Sequence, residues 1–229
     1  MSSRASKKNR GLCVYCLLQK AQTLDHVVPK CMFPKGEIPA NYSFKVPACK
    51  QCNGSKAKLD SYLRDLAVCD YRSSQSATAQ KICNDTVRRS LETKRSLLLK
   101  QAQYLTWERQ VGPDGTVADL LPTLPVEIDK LEEALSYLTR GLYYKLIGSA
   151  LPRQLSVSAL TVPSTSVEMC TQNMLALPPT RSCQIGEVFA CLVVHDLKQQ
   201  SFWLMRFYES VYFTVKVLIG ADRQTAAQC

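Results

Sequence analysis

Two C-x2-C pairs, Cys13/Cys16 and Cys49/Cys52, constrain this chain more than anything else in it. Each pair presents two sulfurs on one side of a tight turn, and two such pairs make a closed tetrahedral site for a structural zinc ion. A metal held that way ties together segments that are distant in sequence. The residues between them then need little hydrophobic core of their own to stay in place. Between them lies Leu24-Asp25-His26-Val27-Val28-Pro29-Lys30, with an acid and an imidazole side by side, and the second pair runs directly into Asn53.

Those residue types suit phosphodiester hydrolysis. The reaction needs a water deprotonated on one side of phosphorus and charge neutralised on the leaving oxygen on the other. His26 is the natural base, because neutral imidazole accepts a proton around its ordinary pKa of about 6.5. A hard divalent ion, Mg2+ or Mn2+, prefers oxygen ligands, which the Asp25 carboxylate and the Asn53 side-chain carbonyl offer. Such an ion would polarise the phosphate and stabilise the leaving oxygen.

At these positions the chain resembles the HNH endonucleases. The resemblance rests on C-x2-C, Asp25-His26-Val27-Val28-Pro29, Asn41, and then Pro47-Ala48-Cys49-Lys50-Gln51-Cys52-Asn53 with Lys56 behind it. It is closest in form to the zinc-knuckle subgroup in which Asn stands as the last metal ligand. The resemblance implies a ββα-metal module, with the catalytic His on a strand and the last ligand at the start of a helix. By the same resemblance His26 is the general base and Asp25 and Asn53 hold the catalytic ion. Cys13, Cys16, Cys49 and Cys52 hold zinc, and Asn41 braces the loop that orients the base. The chain departs from the pattern at Tyr42, where Leu is usual. The family would leave 5′-phosphate and 3′-hydroxyl ends and works in phage defence, mobile elements or phage DNA processing. The competing reading is a non-catalytic zinc module that binds nucleic acid or a protein partner.

Charge supports a nucleic-acid partner. Residues 1–60 hold eleven Lys/Arg against three Asp/Glu, so this quarter carries +8 of the chain's net +10. Such a surface gives sequence-independent, salt-sensitive affinity for phosphates. Lys30, Lys50, Lys56 and Lys58 are the expected phosphate contacts on DNA, whereas Arg4 to Arg10 reads equally as a solvated tail. An unregulated nuclease would endanger its host, so a restraining protein partner or homo-oligomer is also expected.

No apolar core region follows Met1 to Arg10, so no signal peptide is read there, and Val188 to Val194 is far too short to span a bilayer. The expectation is a cytoplasmic protein away from membranes. Four of its eleven cysteines then hold zinc and the other seven, Cys31 among them, are free thiols.

Patterning predicts an α+β chain in three parts. Residues 1–68 form the zinc-stabilised module, with strands over Thr23 to Val28 and Tyr42 to Val46 and a helix after Asn53 carrying Leu59, Tyr62, Leu63 and Leu66 inward. In the loop between the strands Phe33 packs, punctuated by Pro29, Pro34, Gly36 and Pro39. Residues 69–125 form a helical connection, with a Ser-rich link over Arg72 to Thr78 and a helix over Lys81 to Gln103. Arg88, Arg89, Lys94, Arg95 and Lys100 sit on its solvent face. A hairpin follows around Gly112-Pro113-Asp114-Gly115. Residues 126–229 begin with an amphipathic helix from Val126 to Ile147, stopped by Gly148. A strand over Leu155 to Val162 follows, then a short helix from a Thr165/Glu168 capping box toward Leu175. Three strands, Val188 to Val194, Phe202 to Tyr208 and Val211 to Leu218, complete an antiparallel meander of unassigned role. His195 is expected in a structural role, and Trp107 and Trp203 in cores.

Overall fold

The computed structural model describes residues 11–39, 42–93, 101–111, 117–162, 164–177, 180–195 and 200–219. The Arg4 to Arg10 tail, Asn41, the hairpin tip at 112–115 and Lys94, Arg95 and Lys100 lie outside the described residues.

The chain is α+β. An isolated bridge between Leu12 and Lys20 closes the first cysteine turn. Strand β1 (Thr23–His26) then pairs antiparallel with β2 (Lys45–Ala48), in a register that sets Asp25 opposite Val46 and His26 opposite Lys45. β2 begins three residues later than Tyr42 and passes through Pro47. Proline lacks a ladder donor, but β2 pairs only with β1, and the Pro47 backbone faces the other edge, where its carbonyl accepts the Val14 N–H at 3.0 Å, so no bond to β1 is lost. β1 ends at His26 because Pro29 and a 3-10 turn, Lys30–Met32, turn the chain away.

Helix α1 (Lys50–Cys69) follows β2 at once, with Cys49 as its N-cap. Leu59, Tyr62, Leu63 and Ala67 are its buried apolar face, at helical spacing. Asp70 ends α1 and accepts from the Arg72 N–H, starting a 3-10 turn over Tyr71–Gln75. Ser76 then caps α2 (Ala77–Ile82). The helix expected over Lys81 to Gln103 starts earlier, with α2, runs through a π-helical turn at Cys83–Val87 into α3 (Arg88–Glu92), and is capped at Thr93. Arg88 and Arg89 face solvent as expected.

Strands β3 (Thr106–Val111) and β4 (Val117–Thr123) form their own two-stranded sheet. The expected hairpin exists, but Trp107 on it is 62% exposed and is not a core residue, because the sheet is paired only with itself. Trp203, in contrast, is fully buried.

Helix α4 (Ile128–Ile147) buries Leu131, Leu135, Leu138 and Leu142, and Gly148 at φ 89° supplies the left-handed residue that ends it. β5 (Leu155–Thr161), α5 (Ser164–Leu175), β6 (Thr180–Ile185), β7 (Phe189–His195), β8 (Ser201–Phe207) and β9 (Val211–Ile219) follow. The strands form one antiparallel sheet in the order β5-β9-β8-β7-β6. Because α5 begins at Ser164, Thr165 lies inside its first turn and not at the cap.

Strand periodicity sorts this sheet into two faces. Val157, Phe189, Cys191, Val193, Trp203, Met205, Phe207, Phe213 and Val215 join one buried cluster with α1, α4 and the N-terminal hairpin. Leu192, Val194, Phe202, Leu204 and Tyr212 face the other way and pack with Val162 and Met174 beneath α5. The first cluster runs without a break from Cys13 to Val217, across residues 68 and 125. Tyr208 illustrates the joint, since its hydroxyl donates to the Met32 carbonyl at 3.0 Å. Among the described residues no helix is long and apolar enough to cross a membrane.

Candidate metal centre and active site

The sulfurs of Cys13, Cys16, Cys49 and Cys52 all lie within 4.8 Å of one another. The first pair sits in a turn closed by Cys13 N–H donating to the Gln19 carbonyl at 2.8 Å, with Leu17 held at φ 54°. The second pair straddles the start of α1, where the Cys49 sulfur accepts the Cys52 N–H at 3.4 Å. A helix N-terminus favours negative charge, so thiolates are at home there. Burial raises the Cys16 thiol, but the N–H groups of Gln19 and Leu18 and the neighbouring Cys13 and Cys52 outweigh it and bring it down to about 7. Burial raises Cys13 and Cys52. Four crowded thiols cannot all ionise on their own. A divalent cation would resolve that conflict by holding them as thiolates, and four sulfurs at this spacing suit zinc.

The zinc-type cluster fixes both ends of the hairpin that carries Asp25 and His26. Asp25 is 8% exposed. Its Oδ2 accepts the Tyr15 hydroxyl at 2.5 Å and lies 3.3 Å from the Lys56 ammonium. Among the described residues both contacts fall on Oδ2, which leaves Oδ1 for another partner. Asn53, in the first turn of α1, donates from Nδ2 to Thr23 Oγ1 at 3.2 Å, and that hydroxyl donates to the Ala48 carbonyl at 2.9 Å. Thr23 and Asp25 are two apart on β1 and share a face, so Asn53 meets the strand on the side of Asp25. With Nδ2 committed to Thr23, Asn53 keeps its carbonyl oxygen as a ligand atom.

His26 leaves β1 on the opposite side. Its ring stacks on Tyr42 with centroids 5.3 Å apart and planes at 18°. Tyr42 is fixed by its hydroxyl bond to the Val28 carbonyl and by Phe33, which packs as expected at 5.3 Å. Burial lowers the His26 pKa, and the nearby Lys30 and Lys45 ammonium groups lower it further. That direction favours the neutral imidazole, the form able to take a proton.

Lys30, Lys50 and Lys58 are exposed. Lys56 is not. It is 1% exposed, donating to Asp60 at 2.8 Å and to the His26 carbonyl at 3.2 Å beside Asp25. The expectation that Lys56 contacts phosphate is corrected accordingly, because the helix turns that residue inward between two carboxylates. Burial pushes the Asp60 carboxyl up to about 6, against the pull of Lys56. Sequence reasoning missed Tyr15, Tyr42 as a ring partner and Asp60. The Lys56/Asp60 spacing of four residues on a helix was the available signal for the last.

A four-cysteine cluster compatible with structural zinc, with an acid, an imidazole and an amide on the hairpin and helix that it clamps, is therefore what the chain presents. Comparison with protein-family models, with curated proteins and with solved structures finds no match to this chain.

Proposed function

We propose that this protein is a metal-dependent endonuclease of HNH type that hydrolyses DNA phosphodiester bonds. The observation that carries the reading is the Asn53–Thr23 hydrogen bond, which brings the start of α1 against the Asp25 face of β1, one residue before His26 on the strand's other face. Two strands followed at once by a helix and clamped by four cysteines are what the HNH resemblance implies. Neutral His26, oriented by its stack on Tyr42, takes the proton of the attacking water as the new P–O bond forms. The bond to the leaving oxygen breaks and that oxygen takes a proton from solvent water, giving 5′-phosphate and 3′-hydroxyl ends. A Mg2+ or Mn2+ ion held by Asp25 and Asn53 supplies neutralisation of the charge that grows on the phosphate and leaving oxygen. Exposed Lys30, Lys50 and Lys58 bind the DNA backbone without regard to sequence.

The Lys56–Asp25 ion pair favours a second reading, because the ammonium already balances the carboxylate without any divalent ion. On that reading the chain is a zinc module that binds nucleic acid or a protein and cuts nothing. Purified protein is incubated with supercoiled plasmid in Mg2+, in Mn2+ and in EDTA, beside His26→Ala. Metal-dependent nicking that His26→Ala abolishes while DNA binding persists supports the nuclease. Plasmid binding without cleavage by folded, zinc-loaded protein supports the module.

A further inference from the structure

Tyr15 stands between two of the zinc-type cysteines and touches neither solvent nor, on the nuclease reading, the substrate. It is 5% exposed, and its ring packs edge-on against Tyr137 of α4, with centroids 5.1 Å apart at 73°. Its hydroxyl reaches out of the first cysteine turn to Asp25 Oδ2. From the other side Lys56 approaches the same oxygen, itself anchored by Asp60 and by the His26 carbonyl.

We propose that Tyr15 is a positioning residue: through its hydroxyl bond to Asp25 Oδ2, the zinc-bound turn fixes the rotation of the Asp25 carboxylate and presents Oδ1 to the divalent ion. This rests on the nuclease reading of the site. The carboxyl torsion of aspartate is soft, with a broad, nearly two-fold distribution. An unrestrained Asp25 would divide its time between orientations that offer different oxygens, or none, toward Asn53. A hydroxyl donor and an ammonium charge on one oxygen restrict that freedom. A buried tyrosine often bonds whatever acceptor is near. Here the acceptor is the proposed ion ligand, and the donor's backbone is pinned by Cys13 and Cys16 on either side. Zinc then has a part in the chemistry beyond holding the fold, because the turn it stabilises is the turn that aims the ligand.

Tyr15→Phe keeps the ring and its packing on Tyr137 and removes only the donor. Partners of metal-ligating groups typically change metal affinity by about ten- to a hundred-fold when removed. Mn2+ binding to zinc-loaded protein is measured by the paramagnetic resonance of free Mn2+, for wild type, Tyr15→Phe and Asp25→Ala, with zinc content and melting temperature alongside. The expected result is a Mn2+ dissociation constant about tenfold or more weaker in Tyr15→Phe at unchanged zinc content. Plasmid cleavage should recover toward the wild-type rate at saturating Mn2+, since the ligand itself remains. Equal Mn2+ affinity in wild type and Tyr15→Phe overturns the positioning role and leaves the nuclease standing. No Mn2+ binding by wild type overturns both. If Tyr15→Phe fails to retain zinc, 3-fluorotyrosine placed at position 15 keeps the hydroxyl and supplies a fluorine signal. That signal should move on Mg2+ titration in the parent and stay still in Asp25→Ala. A signal that stays still in a parent that binds Mg2+ overturns the proposal.

Discussion

Gly141→Ala adds one methyl group to the middle of α4, and the geometry sets the sign of its effect. A Cβ at this position would lie 2.9 Å from Val27 Cγ1 and 3.1 Å from Cγ2. Any staggered rotation of the valine leaves at least one methyl in the way, and Val27 is fully buried in the core. Two effects oppose each other. Alanine in a helix interior is favoured over glycine by about 1 kcal/mol. Forcing a methyl into a packed core costs about 1–3 kcal/mol. The clash at two carbons should win, for a net loss of about 1 kcal/mol. In a Val27→Ala background both Cγ atoms are gone, and the same substitution should stabilise by about 1 kcal/mol. The coupling between the two positions is then about 2 kcal/mol, well above the few tenths found for independent sites. Urea unfolding of the zinc-loaded parent, the two single variants and the double variant measures it. A Gly141→Ala variant more stable than its parent, or no change of sign in the Val27→Ala background, refutes the reasoning. Cleavage should fall with stability in Gly141→Ala, because Val27 follows His26 and its N–H donates to the Phe44 carbonyl at 2.9 Å.

Three further outcomes are expected. Cys49→Ser, or chelation of the parent, should release zinc and unfold the N-terminal hairpin. Structural zinc contributes an apparent binding free energy of about 10–16 kcal/mol, comparable with the whole stability of a domain. Metal analysis with circular dichroism checks this, and a folded zinc-free protein would contradict it. The folded pKa of His26 lies below its ordinary value, so acid favours the unfolded chain, and this contribution to stability is lost as pH falls below about 6.5. Cleavage should rise with pH and level off with an apparent pKa below 6.5, a direction that a bound cation only reinforces. A pH–rate profile with an NMR titration of the ring tests it, and a midpoint above 6.5 in both would count against it. Lys56→Met should cost about 3 kcal/mol in urea unfolding at pH 7, because it leaves the buried Asp25 and the partly buried Asp60 without their cation. The loss should shrink near pH 5, where Asp60 takes up a proton; a loss below about 1 kcal/mol at pH 7 would show that the pair is not what holds this corner.

The zinc-type cluster was legible because its requirement is written in spacing: two C-x2-C pairs need only meet, and they do. Helix α4 was equally legible, since a long apolar stripe and a terminal glycine are local signals. The α+β order and the meander β7-β8-β9 followed from strand periodicity. Edge strands were harder. β2 contains Pro47, which argues against a strand unless one side is known to be unpaired. β6 is mostly polar and half-exposed, so it shows no apolar alternation. The inward turn of Lys56 was illegible for a different reason. A lysine four residues from an aspartate on a helix usually marks a solvated face, and only the packing of the hairpin across α1 converts that pair into a buried one. Trp107 erred in the opposite direction, because size predicts burial only where another element comes to cover it.

The same dependence on distant packing explains why the C-terminal half belongs to any account of the site. Tyr137 packs on Tyr15, Gly141 admits Val27, and Tyr208 bonds the Met32 carbonyl, so the cysteine turn at one point and the hairpin that carries Asp25 and His26 at two rest on residues from beyond position 125. A zinc-clamped segment of this size has too little apolar surface to bury unaided. The four-cysteine cluster fixes where the two ends of the segment are; α4 and the sheet behind it fix what lies between. The loop from Lys30 to Lys45 has Met32 and Phe33 buried in that packing, while Lys30 at its start stays in solvent. The ring of His26 and the carboxylate of Asp25 are thus aimed by different supports, the first by Tyr42 within the loop and the second by Tyr15 within the cysteine turn. On the proposed nuclease reading, variants of Tyr42 should therefore act on the base and variants of Tyr15 on ion binding, which is the separation that a site with distinct base and metal requires.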